Sequence, residues 1–379
     1  MHVALNAHLL SLSQSYRGAG ISWYIFNLLQ NLPIVTPDNH YTAYLHDRAF
    51  HPTAPNLELN FSSWPTYRPP VRIAWEQFAL PLALQRNPPD LLHAMAFVAP
   101  IAMRQPFVVT VYDLSFLRYP DSFRPFNRWY LSTFTAYSVK RARAVIAISE
   151  STRQDVIHLL GKPAPQVHTI YCGTDEQFRP WPPAEIATFR AQHGLPDTFV
   201  LYLGTLEPRK NLDGLIRAYA AWRAQEPTAP MLIIAGGKGW YYQEIFALVE
   251  SLNLTPYIKF AGYVPQAELP LWYNAATVFV YPSHFEGFGL PVLEAMACGT
   301  PVITSNISSL PEVAGEAARL VNPTDTAALT IALKELLGQA DLRADMRARG
   351  LAQAAKFRWA KTAHETAAVY QLATNQTIF

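Results

Sequence analysis

The stretch FVYPSHFEGFGLPVLE, Phe279 to Glu294, decides how this chain is read. Val278, Phe279 and Val280 form a β-branched and aromatic run that suits a buried strand. The turn after it carries Gly287 and Gly289, which let backbone approach a ligand with no Cβ in the way. Pro291 fits the first position of a helix, where its missing N–H would have no partner anyway. The N–H groups of Phe288, Gly289 and Leu290 then lie at a helix N-terminus, where phosphate binds readily. Glu286 and Glu294 bracket the loop, and Glu294, one turn into the helix, is placed to accept both hydroxyls of a ribose. Each acid alone has a plainer reading. Glu294 would complement the helix dipole, and Glu286 would be an exposed loop acid.

The same alternation of strand and helix runs along the whole chain, the sign of parallel sheets covered on both faces. His2 to Leu5, Phe107 to Val111, Ala144 to Ile148 and Val167 to Ile170 read as strands of a first domain, with His93 ending another. A second series comprises Phe199 to Leu203, Met231 to Ala235, Ile258 to Phe260, Val278 to Tyr281, Val302 to Thr304 and Ala318 to Val321. Helices fit at Ser22 to Leu32, Leu212 to Gln225, Pro265 to Asn274 and about Lys361 to Leu372. The proline-rich segment CGTDEQFRPWPPAE, Cys172 to Glu185, reads as a hinge. The expected domains are residues 1–178 and 179–360, with the last helix, 361–379, returning to the first.

Composition bounds the function. A chain of 379 residues exceeds one ordinary core. Half of it is hydrophobic and 15% is charged, which excludes a disordered protein. Net charge is +2, so no nucleic acid partner is expected. Cys172 and Cys298 are too few for a disulfide framework and fit a reducing compartment. Met1 leads directly into a strand without a basic leader, and no apolar run reaches membrane-spanning length. These features predict a cytoplasmic protein, at most resting on the inner membrane surface.

The string EGFGLPVLEAMACGTPVITSN, Glu286 to Asn306, resembles the signature of retaining, nucleotide-sugar-dependent glycosyltransferases of family 4. The likeness extends to LGTLEPRKNLDGLIRAY (Leu203 to Tyr219), GKGWYYQEIF (Gly237 to Phe246), FAGYVPQAELPLWYNAA (Phe260 to Ala276) and FRWAKTA (Phe357 to Ala363). WEQFALP (Trp75 to Pro81) and VTVYDLSFLRYP (Val109 to Pro120) extend it into the first half. Among relatives the chain is most similar to bacterial mannosyltransferase-like members that build surface polysaccharides. The resemblance implies an α/β chain of GT-B type, two facing Rossmann-like domains with an interdomain cleft and a last helix that crosses back.

It also implies roles for particular residues. Lys210 stands where the family places a lysine on the donor phosphates. Relatives often carry an arginine directly after the strand's glycine, but Thr205 follows Gly204 here, and Arg209 is the nearest substitute charge. The turn Arg17-Gly18-Ala19-Gly20 would approach the phosphate or anomeric region; a plain tight turn is its other reading. Tyr112-Asp113 stands where relatives have His-Asp, and tyrosine stays neutral at pH 7. Asp113 would orient an acceptor hydroxyl or cap the next helix. His93 would touch the acceptor or be a satisfied core histidine.

Glu286 would hold the transferred sugar. The expected partners are a GDP- or UDP-sugar donor and a saccharide or lipid-linked acceptor, with no cofactor. No D-x-D occurs in the chain, so metal-independent catalysis is expected. Between Arg118 and Arg143 lie six basic residues, one acid and seven aromatics, which suggest a membrane surface. Phe126, Tyr130, Phe134 and Tyr137 fall at helical spacing, however, and are expected to pack on the core. A phosphorylase of the same fold and a catalytically weak nucleotide-sugar sensor are the alternative functions.

Overall fold

The computed structural model describes residues 1–13, 20–120, 123–237, 239 and 242–375. It divides into one unit of Met1–Gly173 with Arg358–Phe379 and a second of Thr174–Phe357. The division falls inside the proline-rich segment, at Gly173/Thr174 rather than after residue 178.

The first unit carries β1 (His2–Asn6), β2 (His40–Leu45), β3 (Leu57–Phe61), β4 (Leu91–Ala94), β5 (Phe107–Val111), β6 (Ala144–Ala147) and β7 (Val167–Thr169). They form one sheet in the order β3-β2-β1-β4-β5-β6-β7. All pairings are parallel, with Val3 beside Leu91 and Val108 beside Ala144. Every side chain of β4, β5 and β6 is buried, as a sheet covered on both faces requires.

The second unit carries β8 (Phe199–Leu203), β9 (Met231–Ala235), β10 (Ile258–Gly262), β11 (Val278–Tyr281), β12 (Val302–Ser305) and β13 (Arg319–Val321). Their order is β10-β9-β8-β11-β12-β13, again all parallel. In each sheet the winding reverses beside the first strand, between β1 and β4 and between β8 and β11. In such sheets ligands bind outside the carboxyl ends of the strands at this reversal.

The last helix, Trp359–Asn375, belongs to the first unit and lies against the helix Ile21–Val35. It buries Ala363, Ala367 and Tyr370. Its Thr362 hydroxyl donates to the Tyr171 carbonyl at 2.7 Å. The helix Pro125–Arg141 departs from the expected packing. It buries Tyr130 but leaves Phe126 61% and Tyr137 40% exposed, with Trp129 at 55%. Helical spacing identified the face, but the face is wider than the core beneath it. Among the described residues no helix is long and apolar enough to cross a membrane.

Gly173 sits where the chain leaves the first unit, and a Cβ there would lie 2.2 Å from the backbone nitrogen of Trp359. Gly173→Ala must therefore push the last helix off its seat. We expect a loss of about 2 kcal/mol or more, seen as a lower urea midpoint. An unchanged midpoint would mean the helix start shifts freely.

Candidate active site

The loops after β8 and β11 meet at the reversal point of the second sheet. After β8 the chain makes one turn at Pro208–Lys210, and Asn211 then takes a left-handed conformation with φ +57°. Asparagine tolerates that region better than most residues. Its side-chain amide donates to the carbonyls of Pro282 (3.0 Å) and Pro323 (2.7 Å). The β8 loop is thereby tied to the β11 loop. Close packing of the neighbouring loop depends on glycine: Gly236 has φ +142°, and a Cβ there would lie 1.9 Å from the Gly204 carbonyl oxygen.

This frame brings Lys210 and Glu286 together. Lys210 Nζ donates to Glu286 Oε1 and to the Tyr281 hydroxyl, each at 2.7 Å. Glu286 is 7% exposed and Lys210 8%. Arg209 lies 3.6 Å from Glu286 Oε2, pairs with Glu207 at 2.9 Å and donates to the Phe285 carbonyl at 2.8 Å. Burial alone would raise the Glu286 carboxyl. Lys210 and Arg209 outweigh it and hold the group below the ordinary carboxylate range. The Glu286 backbone is fixed as well. Its N–H donates to Ser308 Oγ at 3.1 Å, and the Ser309 hydroxyl donates toward the carbonyls of Glu286 (2.9 Å) and Phe288 (2.8 Å).

Past this turn, Gly289 takes φ +109° and precedes the helix Leu290–Ala297, with Pro291 in its first turn. A Cβ at Gly289 would meet Leu310 Cδ2 at 2.7 Å. The first N–H groups of any helix have no partner within it. Glu294 lies in this helix, 7% exposed, and accepts the Tyr273 hydroxyl at 2.9 Å. Burial pushes its carboxyl up to about 7, helped by the charge of Asp175 and opposed by the Tyr273 hydrogen bond. The two acids that bracket the loop are thus in opposite electrostatic states. Thr205 is half-buried, and its carbonyl accepts the Tyr202 hydroxyl at 3.3 Å.

Residues 8–178 match the family described as Glycosyltransferase Family 4, and residues 185–353 match Glycosyl transferases group 1. The chain is 35% identical over 305 residues to O-antigen chain mannosyltransferase B of Escherichia coli, covering 80% of this chain and 78% of that one. The chain belongs to the family 4 glycosyltransferases. A second family relative, O-antigen chain mannosyltransferase RfbU of Salmonella typhimurium, is 28% identical over 75% of both chains. The solved structure of sucrose-phosphate synthase from Thermosynechococcus elongatus is 23% identical and superposes with a TM-score of 0.79 over 98% of both chains. Anabaena HepE, solved with UDP and glucose, gives 0.75 at 19% identity over 98% of this chain and 99% of its own. The fold is GT-B, and the protein is a glycosyltransferase.

The first-unit candidates do not gather in the same way. His93 is fully buried: Nδ1 pairs with the Tyr370 hydroxyl at 2.6 Å and Nε2 with Thr110 Oγ1 at 2.7 Å. Burial drives its pKa down to about 3, so the ring is neutral and both its nitrogens are satisfied within the core. Tyr112 points inward and donates to the Met95 carbonyl at 2.7 Å. Asp113 accepts the Ser115 N–H at 2.8 Å and the Ser115 hydroxyl at 2.5 Å, just ahead of the short helix Ser115–Arg118, whose N-cap is Leu114. Gly20, with φ +57°, caps the helix Ile21–Val35, whereas Gly18 lies outside the described residues.

Sequence reasoning missed Asn211, Tyr281, Tyr273, Ser308 and Ser309. Only Asn211 carried a signal, as an asparagine directly after the basic pair and before a helix.

The raised Glu294 carboxyl has a consequence for stability. Below about 4.5, its ordinary value, the acid is protonated folded or unfolded and has no effect. As pH rises towards about 7 the unfolded chain sheds this proton first, so stability falls. Above that the penalty is complete, on the order of 3 kcal/mol. Glu294→Gln should therefore melt higher than the wild type at pH 8, with the difference vanishing towards pH 4.5. Equal melting at every pH would refute the raised carboxyl.

Proposed function

We propose that the protein is a retaining, metal-independent hexosyltransferase of surface polysaccharide synthesis. It moves a sugar, mannose by analogy with its relatives' names, from a GDP- or UDP-sugar to a saccharide or lipid-linked acceptor. The observation that carries this reading is the buried Lys210–Glu286 pair at the reversal point of the second sheet, beside the helix start at Leu290.

In this reading the diphosphate lies against the Phe288 to Leu290 turn and Lys210, with Arg209 adding charge. Glu294 takes the ribose hydroxyls, and Glu286 takes hydroxyls of the donor sugar. The bond from the anomeric carbon to the phosphate oxygen breaks, and a bond to the acceptor oxygen forms on the same face. The acceptor's proton passes to the departing phosphate oxygen. Fixed cations facing that oxygen, in a site shielded from water, account for much of the rate.

The exposed Phe126, Trp129 and Tyr137 share their helix with Arg124, Arg128, Lys140 and Arg141 at or near its ends. This face supports contact with an anionic membrane surface, where a lipid-linked acceptor would reside.

The two glutamates separate by role. Glu294→Gln should raise KM for the donor and weaken nucleoside diphosphate binding to a similar degree, leaving kcat nearly intact. Glu286→Gln should cut kcat about a hundredfold while nucleoside diphosphate affinity hardly moves. Calorimetry with UDP and GDP decides it, and the reverse pattern would exchange the two assignments.

Turnover should also persist in excess EDTA. Activity lost on chelation and restored by Mn²⁺ or Mg²⁺ would overturn metal independence.

A further inference from the structure

The reversal point of the first sheet carries a second buried polar cluster that the donor site does not use. Asn6 ends β1, and its amide nitrogen lies 3.4 Å from Glu76 Oε1. His8 follows two residues on, with Nδ1 paired to Thr66 Oγ1 at 3.0 Å. Its ring rests on Trp75, with centroids 3.8 Å apart. Asn6 is 6% exposed, His8 4% and Glu76 7%. Among the described residues, Asn6 Oδ1 and His8 Nε2 are buried with no hydrogen-bond partner. Glu76 sits in the π-helical segment Trp75–Ala79 that interrupts an otherwise α-helical run, a distortion common at functional sites.

Unpaired buried polar atoms are costly, and each calls for a reason. Here both lie at or just past the carboxyl end of β1, where this sheet type binds ligands. Their chemistry narrows the ligand. A carboxylate, an amide oxygen and a neutral imidazole form an acceptor-rich set that calls for several hydrogen-bond donors. Burial holds His8 near pKa 3, so it brings no charge. Glu76 repels a phosphate, and Arg72, 4.0 Å from Glu76, opposes a metal ion or an amine. A neutral ring bearing several hydroxyls satisfies all of these conditions.

We propose that Asn6, His8 and Glu76 form a subsite for hydroxyls of a neutral sugar ring, that of the acceptor. This deepens the transferase reading and rests on it.

The test uses the full chain and methyl α-D-mannopyranoside as probe, followed by saturation-transfer NMR and by hydrogen exchange. The wild type should bind the probe and gain exchange protection over residues 6–9 and 72–79. Glu76→Gln should weaken binding about tenfold or more, the scale of a lost charged hydrogen bond. Because the exchange footprint needs no mutation, it tests the subsite even if the variant folds poorly. Titrations with GDP and UDP run alongside read the donor site separately. Nucleotide bound normally by Glu76→Gln while the probe is lost supports the subsite. Nucleotide bound normally and probe retained overturns the subsite and leaves the transferase reading standing. Protection elsewhere, no probe binding by the wild type, or tighter binding of mannose 6-phosphate than of the probe also overturns it.

Discussion

Lys210 and Glu286 carry opposite charges and face each other away from solvent. The lysine nitrogen and carboxylate oxygen are 2.7 Å apart, and each residue is less than a tenth exposed. A buried ion pair is no measure of stability in itself, but losing one partner strands the other at a cost of about 3–5 kcal/mol. The rest of the second unit is arranged to prevent that. The reversed winding sets β8 beside β11, so the loops bearing the two residues leave adjacent strands. The Asn211 amide ties those loops together, while Ser308 and Ser309 hold the backbone of Glu286 from the following segment. A charge already fixed and dry needs no reorganisation when a ligand's charge develops beside it.

The two acids of the glycine loop show how strongly environment decides chemistry. Glu286 faces two cations and stays ionised below the usual range. Glu294 is buried beside the Tyr273 hydroxyl and feels the charge of Asp175, and its carboxyl is pushed up to about 7. In the first unit Glu76 is likewise raised by burial, with Arg72 and Asn6 offsetting part of the shift. Three glutamates buried to a similar degree thus hold their protons differently, and the cause is the number and distance of neighbouring cations.

Much of the fold was legible in the sequence because buried parallel strands read as continuous apolar runs. MLIIA and VFVY announce β9 and β11, and the glycine–proline loop before Glu294 announces the helix that follows. HYTAYL and LELNF, the strands β2 and β3, were not legible. Their polar residues interrupt the run, and β3 is an edge strand with one side open. In the second unit Glu286 and Glu294 stood out because they bracket one glycine loop, and Lys210 because it ends a short charged run, but their meeting across 76 residues was not legible.

The first unit was less legible for a physical reason. The surroundings of a side chain in or just after a strand are set by what covers it, and Ala94 rather than His93 ends β4. His93 is capped by Tyr370, 277 residues later, and Tyr112 turns to the Met95 carbonyl. Asn6 and Glu76 lie 70 residues apart, and nothing in either segment advertises the pairing.

The central claim is that Lys210 and Glu286 act as one coupled, buried unit. A double-mutant cycle with Lys210→Met, Glu286→Gln and the double variant, read by urea unfolding, measures that coupling directly. The account predicts that each single change destabilises strongly and that the double variant recovers about 2 kcal/mol or more of their sum. Simple additivity of the two single effects would contradict it.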